Sequence, residues 1–133
     1  MKRLEHIGIA VSDLDEAERI FGDMLGSASY KREEVAGEAV LTSFFQAGES
    51  KVELLVPTSP DSAIAKHLEK RGPGLHHIAF HVEDLEAELG RLVDMGYRVV
   101  VGPKSGADGK RIAFLHPSDS AKVLVELCAD AHS

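Results

Sequence analysis

The feature that most constrains this chain is that it repeats itself. Residues 4–14 align with residues 75–85 at an offset of 71, and six of the eleven positions are identical: Leu4/Leu75, His6/His77, Ile7/Ile78, Val11/Val82, Asp13/Asp84 and Leu14/Leu85. The same offset pairs Asp23-Met24 with Asp94-Met95, and Val52-Glu53-Leu54 pairs with Val125-Glu126-Leu127 at an offset of 73. A repeat near 60 residues buries too little surface to be comfortably stable alone. The expectation is therefore one domain, residues 1–133, built from two like modules. Module one covers about 1–57, a linker helix about 59–72, and module two about 74–129.

Each module reads as strand, helix, then three strands. Residues 4–11 alternate, with Ile7, Ile9 and Val11 on one face and His6, Gly8 and Ala10 on the other. A helix begins near Ser12 or Asp13, both good N-caps, and Leu14, Ala17, Phe21, Met24 and Leu25 recur at helical spacing up to a stop at Gly26. Strands follow at about 27–33, 39–47 and 51–56. In the linker, Ser59 is the expected cap, Pro60 the first helical residue and Gly72 the stop. Module two repeats the order with a strand at 75–82, a helix at about 84–94 and strands near 98–102, 111–116 and 122–128. The fold class is α+β: two tandem βαβββ modules whose sheets form a cleft.

Composition removes several function classes. The net charge of −7 and the absence of tryptophan argue against a nucleic-acid partner, which needs a basic face and stacking platforms. No apolar run approaches the about 20 residues of a membrane span. The single cysteine, Cys128, excludes an internal disulfide and suits a reducing compartment. The first residues carry charge with no apolar stretch behind them, so no signal peptide is expected and the cytoplasm is the expected location.

The repeat doubles four polar residues: His6, Glu53, His77 and Glu126. Each His lies on the first strand of its module, on the face away from the helix. Each Glu lies in the last strand, flanked by apolar residues of the opposite face. Small neighbours (Gly8, Ala10, Ala79) leave room beside them. Two imidazoles and two carboxylates make a sensible site for a divalent metal, with Zn, Mn, Fe, Co or Ni suiting the donors better than Ca. A metal also removes the cost of burying a carboxylate.

The remaining candidates are weaker. His76 reads as structural. His81 lies about 13 Å along the strand from His77, placed for a substrate but not for the same metal. His116 sits before Pro117 at the rim, and His67 and His132 read as surface residues. Lys104, Lys110 and Arg111 form a basic patch suited to an anionic ligand, a carboxylate or a phosphate. Cys128 reads as core.

These segments resemble the vicinal oxygen chelate superfamily, and within it the methylmalonyl-CoA epimerase family. The resemblance runs through residues 6–11, 51–57, 61–66, 74–79, 114–117 and 123–127, nearly the whole chain. It implies metal ligation by His6, Glu53, His77 and Glu126, with cobalt, zinc, manganese or nickel as the ion. It also implies an acyl-CoA substrate, a homodimer, and catalysis by Glu53 and Glu126 acting on opposite faces of C2. Lys104, Lys110 and Arg111 then suit the substrate carboxylate or the CoA phosphates. Some family members carry Gln where Glu53 stands, and some carry an extra Glu aligned with Thr42, which is no base. Two alternatives share the fold: a glyoxalase I-type enzyme acting on a glutathione hemithioacetal, and a drug-binding protein that needs no metal.

Overall fold

The computed structural model describes residues 2–131. The chain divides into two compact units, residues 6–76 and residues 77–131 together with 2–5. No helix among the described residues is long and apolar enough to cross a membrane.

The first unit runs β1 (Arg3–Ala10, from His6 on), α1 (Leu14–Leu25), β2 (Lys31–Val35), β3 (Val40–Ala47), β4 (Ser50–Pro57) and α2 (Ala63–Arg71). Its strands lie in the order β2-β3-β4-β1. β3 pairs antiparallel with both β2 and β4, while β1 and β4, first and last of the module, pair in parallel. Asp13 caps α1, its side chain accepting from the Glu16 amide at 3.0 Å. Gly26 ends the helix in the left-handed conformation, φ 73°, which favours glycine. The apolar face of α1 (Leu14, Ala17, Phe21) packs on Ile7, Ile9, Val52, Leu54, Phe45 and Val11. One face of the strands is thus the helix-packed core, and the alternate residues form the other face.

The second unit repeats the plan with β5 (Gly74–His81, from His77 on), α3 (Leu85–Asp94), β6 (Val99–Ser105), β7 (Lys110–Leu115) and β8 (Val125–Asp130), in the order β5-β8-β7-β6. β5 and β8 are parallel, and β8–β7 and β7–β6 are antiparallel. Asp84 caps α3 as Asp13 caps α1. Val82, Leu85, Leu89, Ala113, Leu115, Leu127 and Ala129 form the helix-side core. The two βαβββ modules expected from the repeat are therefore present.

Four boundaries differ from the sequence expectation. β2 starts at Lys31 rather than 27: before it, the Tyr30 amide donates to the Phe44 carbonyl at 2.9 Å and the Ser29 hydroxyl meets the Ser43 hydroxyl at 2.6 Å, contacts with β3 that do not amount to a strand ladder. α2 starts at Ala63, capped by Ser62. Ser59 instead closes a turn, its hydroxyl accepting from Asp61 and its carbonyl from Ser62. β6 continues through a cis Gly102–Pro103 peptide to Ser105. β8 starts at Val125, since Ala121 and Lys122 adopt positive φ and cannot extend the strand.

Candidate metal centre

Each unit presents a buried imidazole–carboxylate pair on the face its helix does not cover. In the first unit, period-two alternation turns His6, Gly8 and Ala10 away from the α1 side. The parallel register sets Gly8 against Glu53, and the antiparallel register sets Phe44 against Glu53. His6 Nδ1 lies 3.2 Å from Glu53 Oε2, with the two residues only 5% and 3% exposed. In the second unit the corresponding pairings are Ala79 with Glu126 and Phe114 with Glu126. His77 Nε2 lies 3.0 Å from Glu126 Oε1, and both residues are equally buried. The His77 ring meets Phe114 edge-on, with centroids 5.5 Å apart at 85°.

The equivalence extends beyond the four polar residues. Phe44 and Phe114 occupy matched places opposite the two glutamates, a correspondence hidden in the sequence by unequal hairpin lengths. Glycine or alanine beside each carboxylate and phenylalanine across from it give each glutamate apolar partners on both neighbouring strands. A buried carboxylate in such a frame needs a cation, a proton or a metal, to be tolerable. An imidazole nitrogen beside a carboxylate oxygen suits a borderline divalent ion. The donor chemistry of each pair therefore fits a divalent metal.

The first unit carries polar groups that the second lacks. Lys51, 7% exposed, pairs in register with His6, and its Nζ lies 5.8 Å from the Phe44 ring centroid. Thr42, 1% exposed, sits on the same face, its hydroxyl without a hydrogen-bond partner. The matched positions in the second unit are Leu124 and Ile112. Glu5, next to His6 in the chain but counted with the second unit, is also buried. Sequence reading passed over Lys51 and Glu5 because lysine and glutamate in a strand usually mark a solvated face.

The three basic candidates do not form one patch. Lys110, Ile112 and Phe114 alternate with Arg111, Ala113 and Leu115 along β7. Ala113 and Leu115 belong to the core under α3, so Arg111 shares that side, where its guanidinium meets Glu86 of α3 at 2.5 Å. Lys110 is on the Glu126 face and donates to Asp130 Oδ1 at 2.6 Å. His81 Nε2 lies 3.6 Å from the same oxygen. Lys110 first, and His81 after it, hold the Asp130 carboxyl below the usual range. Lys104 lies on β6 opposite Ile112.

The other expected structural residues have defined places. His116 Nδ1 accepts from the Ser118 amide and caps a 3-10 turn. Cys128 is fully buried, its thiol 3.6 Å from the Phe80 carbonyl. His67 is half-buried rather than on the surface, because its ring packs edge-on against His76 at 5.1 Å. His132 lies outside the described residues.

Residues 5–114 match the Glyoxalase/Bleomycin resistance protein/Dioxygenase superfamily. The chain is 41% identical over 128 residues to the ethylmalonyl-CoA/methylmalonyl-CoA epimerase of Cereibacter sphaeroides, covering 94% of this chain and 96% of that protein. Among solved structures, methylmalonyl-CoA epimerase from Mycobacterium tuberculosis superposes with a TM-score of 0.91 at 36% identity, covering 97% of this chain and 88% of that one. A variant of the Streptomyces coelicolor methylmalonyl-CoA epimerase in complex with 2-nitronate-propionyl-CoA superposes with a TM-score of 0.90 at 37% identity, covering 98% of each.

Proposed function

The chain belongs to the Glyoxalase/Bleomycin resistance protein/Dioxygenase superfamily, and we propose that within it the protein is a metal-dependent methylmalonyl-CoA epimerase, acting on an acyl-CoA as a single domain in a homodimer. The observation that carries the reading is the repeated, buried His–Glu pair, once in each unit. It stands in a chain similar over almost its whole length to epimerases.

In this reading His6, Glu53, His77 and Glu126 together hold one divalent ion: cobalt, zinc, manganese or nickel. That ion supplies positive charge for the oxygen anion that develops on the thioester. The chain's own groups move the proton. C2 of the substrate lies between a thioester and a carboxylate, and its proton must leave from one face and return on the other. Glu126 takes the proton on one face and Glu53 serves the opposite face, so one carboxylate ends protonated where the other began so. Each glutamate has two oxygens, one to hold and one to carry the proton. The burial of both keeps bulk water from competing for it. Lys104 and Lys110 recognise the substrate's anionic groups, and Arg111 is held by Glu86 on the α3 side and serves the scaffold.

Proton NMR of methylmalonyl-CoA in D2O tests the reading. Rapid loss of the C2 proton signal with metal-loaded protein, abolished by chelator, is the expected result. No exchange with metal still tightly bound removes the epimerase and leaves the glutathione hemithioacetal as the next substrate to try. No exchange and no metal points instead to the drug-binding class.

A further inference from the structure

Two imidazoles outside the proposed donor set come together within the first unit. His67 stands on α2, and His76 on the part of β5 that belongs to the first unit. Their ring centroids are 5.1 Å apart and the ring planes meet at 82°. Period-two alternation turns His76 to the strand face opposite its neighbour His77. The pair is not a product of the repeat. The offset of 71 places Glu5 against His76, and α2 lies in the linker between the modules.

Packing alone accounts poorly for two histidines at these positions. An edge-on contact asks only for aromatic rings, and phenylalanine makes it without desolvating a ring nitrogen. A metal ion asks for imidazole nitrogens, the right spacing and access from solvent. Two imidazoles on one tetrahedral ion, with nitrogens about 2.0–2.1 Å from it, hold their ring centroids about 5 Å apart. Burial first, and the Arg71 charge after it, push His67 below its ordinary pKa, which leaves its ring neutral and able to ligate at neutral pH. Both residues are half-buried, and His67 lines a shallow cavity of about 220 Å³ together with Glu69.

We propose that His67 and His76 bind a divalent ion such as zinc, at a second metal site separate from the four residues of the proposed centre. Among the described residues no third protein donor joins the two rings, so water completes the coordination shell. Lys66, Lys70 and Arg71 line the same cavity and repel a cation, which makes this the weaker of the two sites. Imidazole suits zinc, copper and nickel, while the oxygen-seeking magnesium and calcium ions do not enter. The ion fastens α2 to the start of β5, across the short connection that leads to His77.

Calorimetric titration of the wild type and of His67→Gln with zinc tests this. The variant should bind one zinc per chain fewer than the wild type. Loss of a ligand weakens a site by at least the about 10–100-fold that changes outside the ligand shell cost. Equal stoichiometry in the two proteins overturns the proposal. Glu126→Gln should keep the weaker zinc with unchanged affinity, and its loss there overturns the separateness of the two sites. If melting shows His67→Gln unfolded, proton–nitrogen NMR of the wild-type imidazoles decides. The weaker zinc equivalent should shift the His67 and His76 ring signals together, and magnesium should shift neither. A zinc step that leaves either ring unmoved overturns the proposal.

Discussion

Glu126→Gln separates a metal ligand from a merely buried carboxylate. The substitution keeps the shape of the side chain and removes its charge. Glu126 Oε1 lies 3.0 Å from His77 Nε2 and both side chains are 6% exposed. Deleting one partner of a buried ionised pair costs about 3–5 kcal/mol. Glutamine can still hydrogen-bond the imidazole, which brings the expected loss down to about 1–2 kcal/mol. The metal-linked part is larger. At a free ion concentration of 100 times Kd, binding to the native state alone adds about 2.7 kcal/mol. For a chain of this size each kcal/mol moves Tm by roughly 3–5 °C, so metal should raise the wild-type Tm by about 8–13 °C. In Glu126→Gln most of that increment should vanish, while the chelated protein melts about 3–10 °C lower. Scanning fluorimetry with cobalt, zinc or chelator reads both quantities. Glu86→Gln, at an exposed carboxylate on α3, is the control and should keep the full increment. If Glu126→Gln retains the wild-type increment, Glu126 does not hold the ion and the four-donor reasoning fails.

Other perturbations test the scaffold. Leu54→Ala, in the core under α1 at 0% exposure, should cost about 2–5 kcal/mol in urea unfolding, and a loss below 1 kcal/mol would contradict the packing described. Gly102→Ala should disrupt the β6–β7 edge, because a Cβ there overlaps the Ile112 carbonyl oxygen at φ 83°; an unchanged Tm would contradict that approach. Acid should loosen the second unit: Arg91, then Lys2, hold Glu88 at about 2, and Arg98 holds Asp119 at about 2. Both folded values lie below the ordinary carboxylate range, so this stabilisation is complete above about pH 4.5 and is lost as pH falls toward 2. Glu88→Gln should flatten the stability curve across that window.

The sequence made the repeat, the helix caps and the polar four legible for physical reasons. Asp13 and Asp84 cap because their carboxylates accept an amide three residues on, a local bond that needs no tertiary partner. Gly26 stops α1 by a backbone conformation that its residue type announces. Ser59-Pro60 carries the same kind of local signal yet closes a turn, because Ser62 offers an equally good cap three residues later. Arg111 and Lys110 are adjacent in sequence, but strand alternation puts them on opposite faces of β7. Lys51 escaped notice since its burial depends on Phe44 and on the strand facing it, neither of which its immediate neighbours reveal.

The parallel pairing of the first and last strands of each module bears on how the protein is made. His6 and Glu53 are 47 residues apart in the chain, and His77 and Glu126 are 49 apart. Neither pair can meet until its whole module has closed around α1 or α3, a non-local step that comes late and slowly in folding. A growing chain that has just finished β4 offers one imidazole and one carboxylate, half of the proposed donor set. The other half waits for β8, the last strand of the second module. Assembly of the proposed four-donor set therefore requires two separate non-local closures, one in each module.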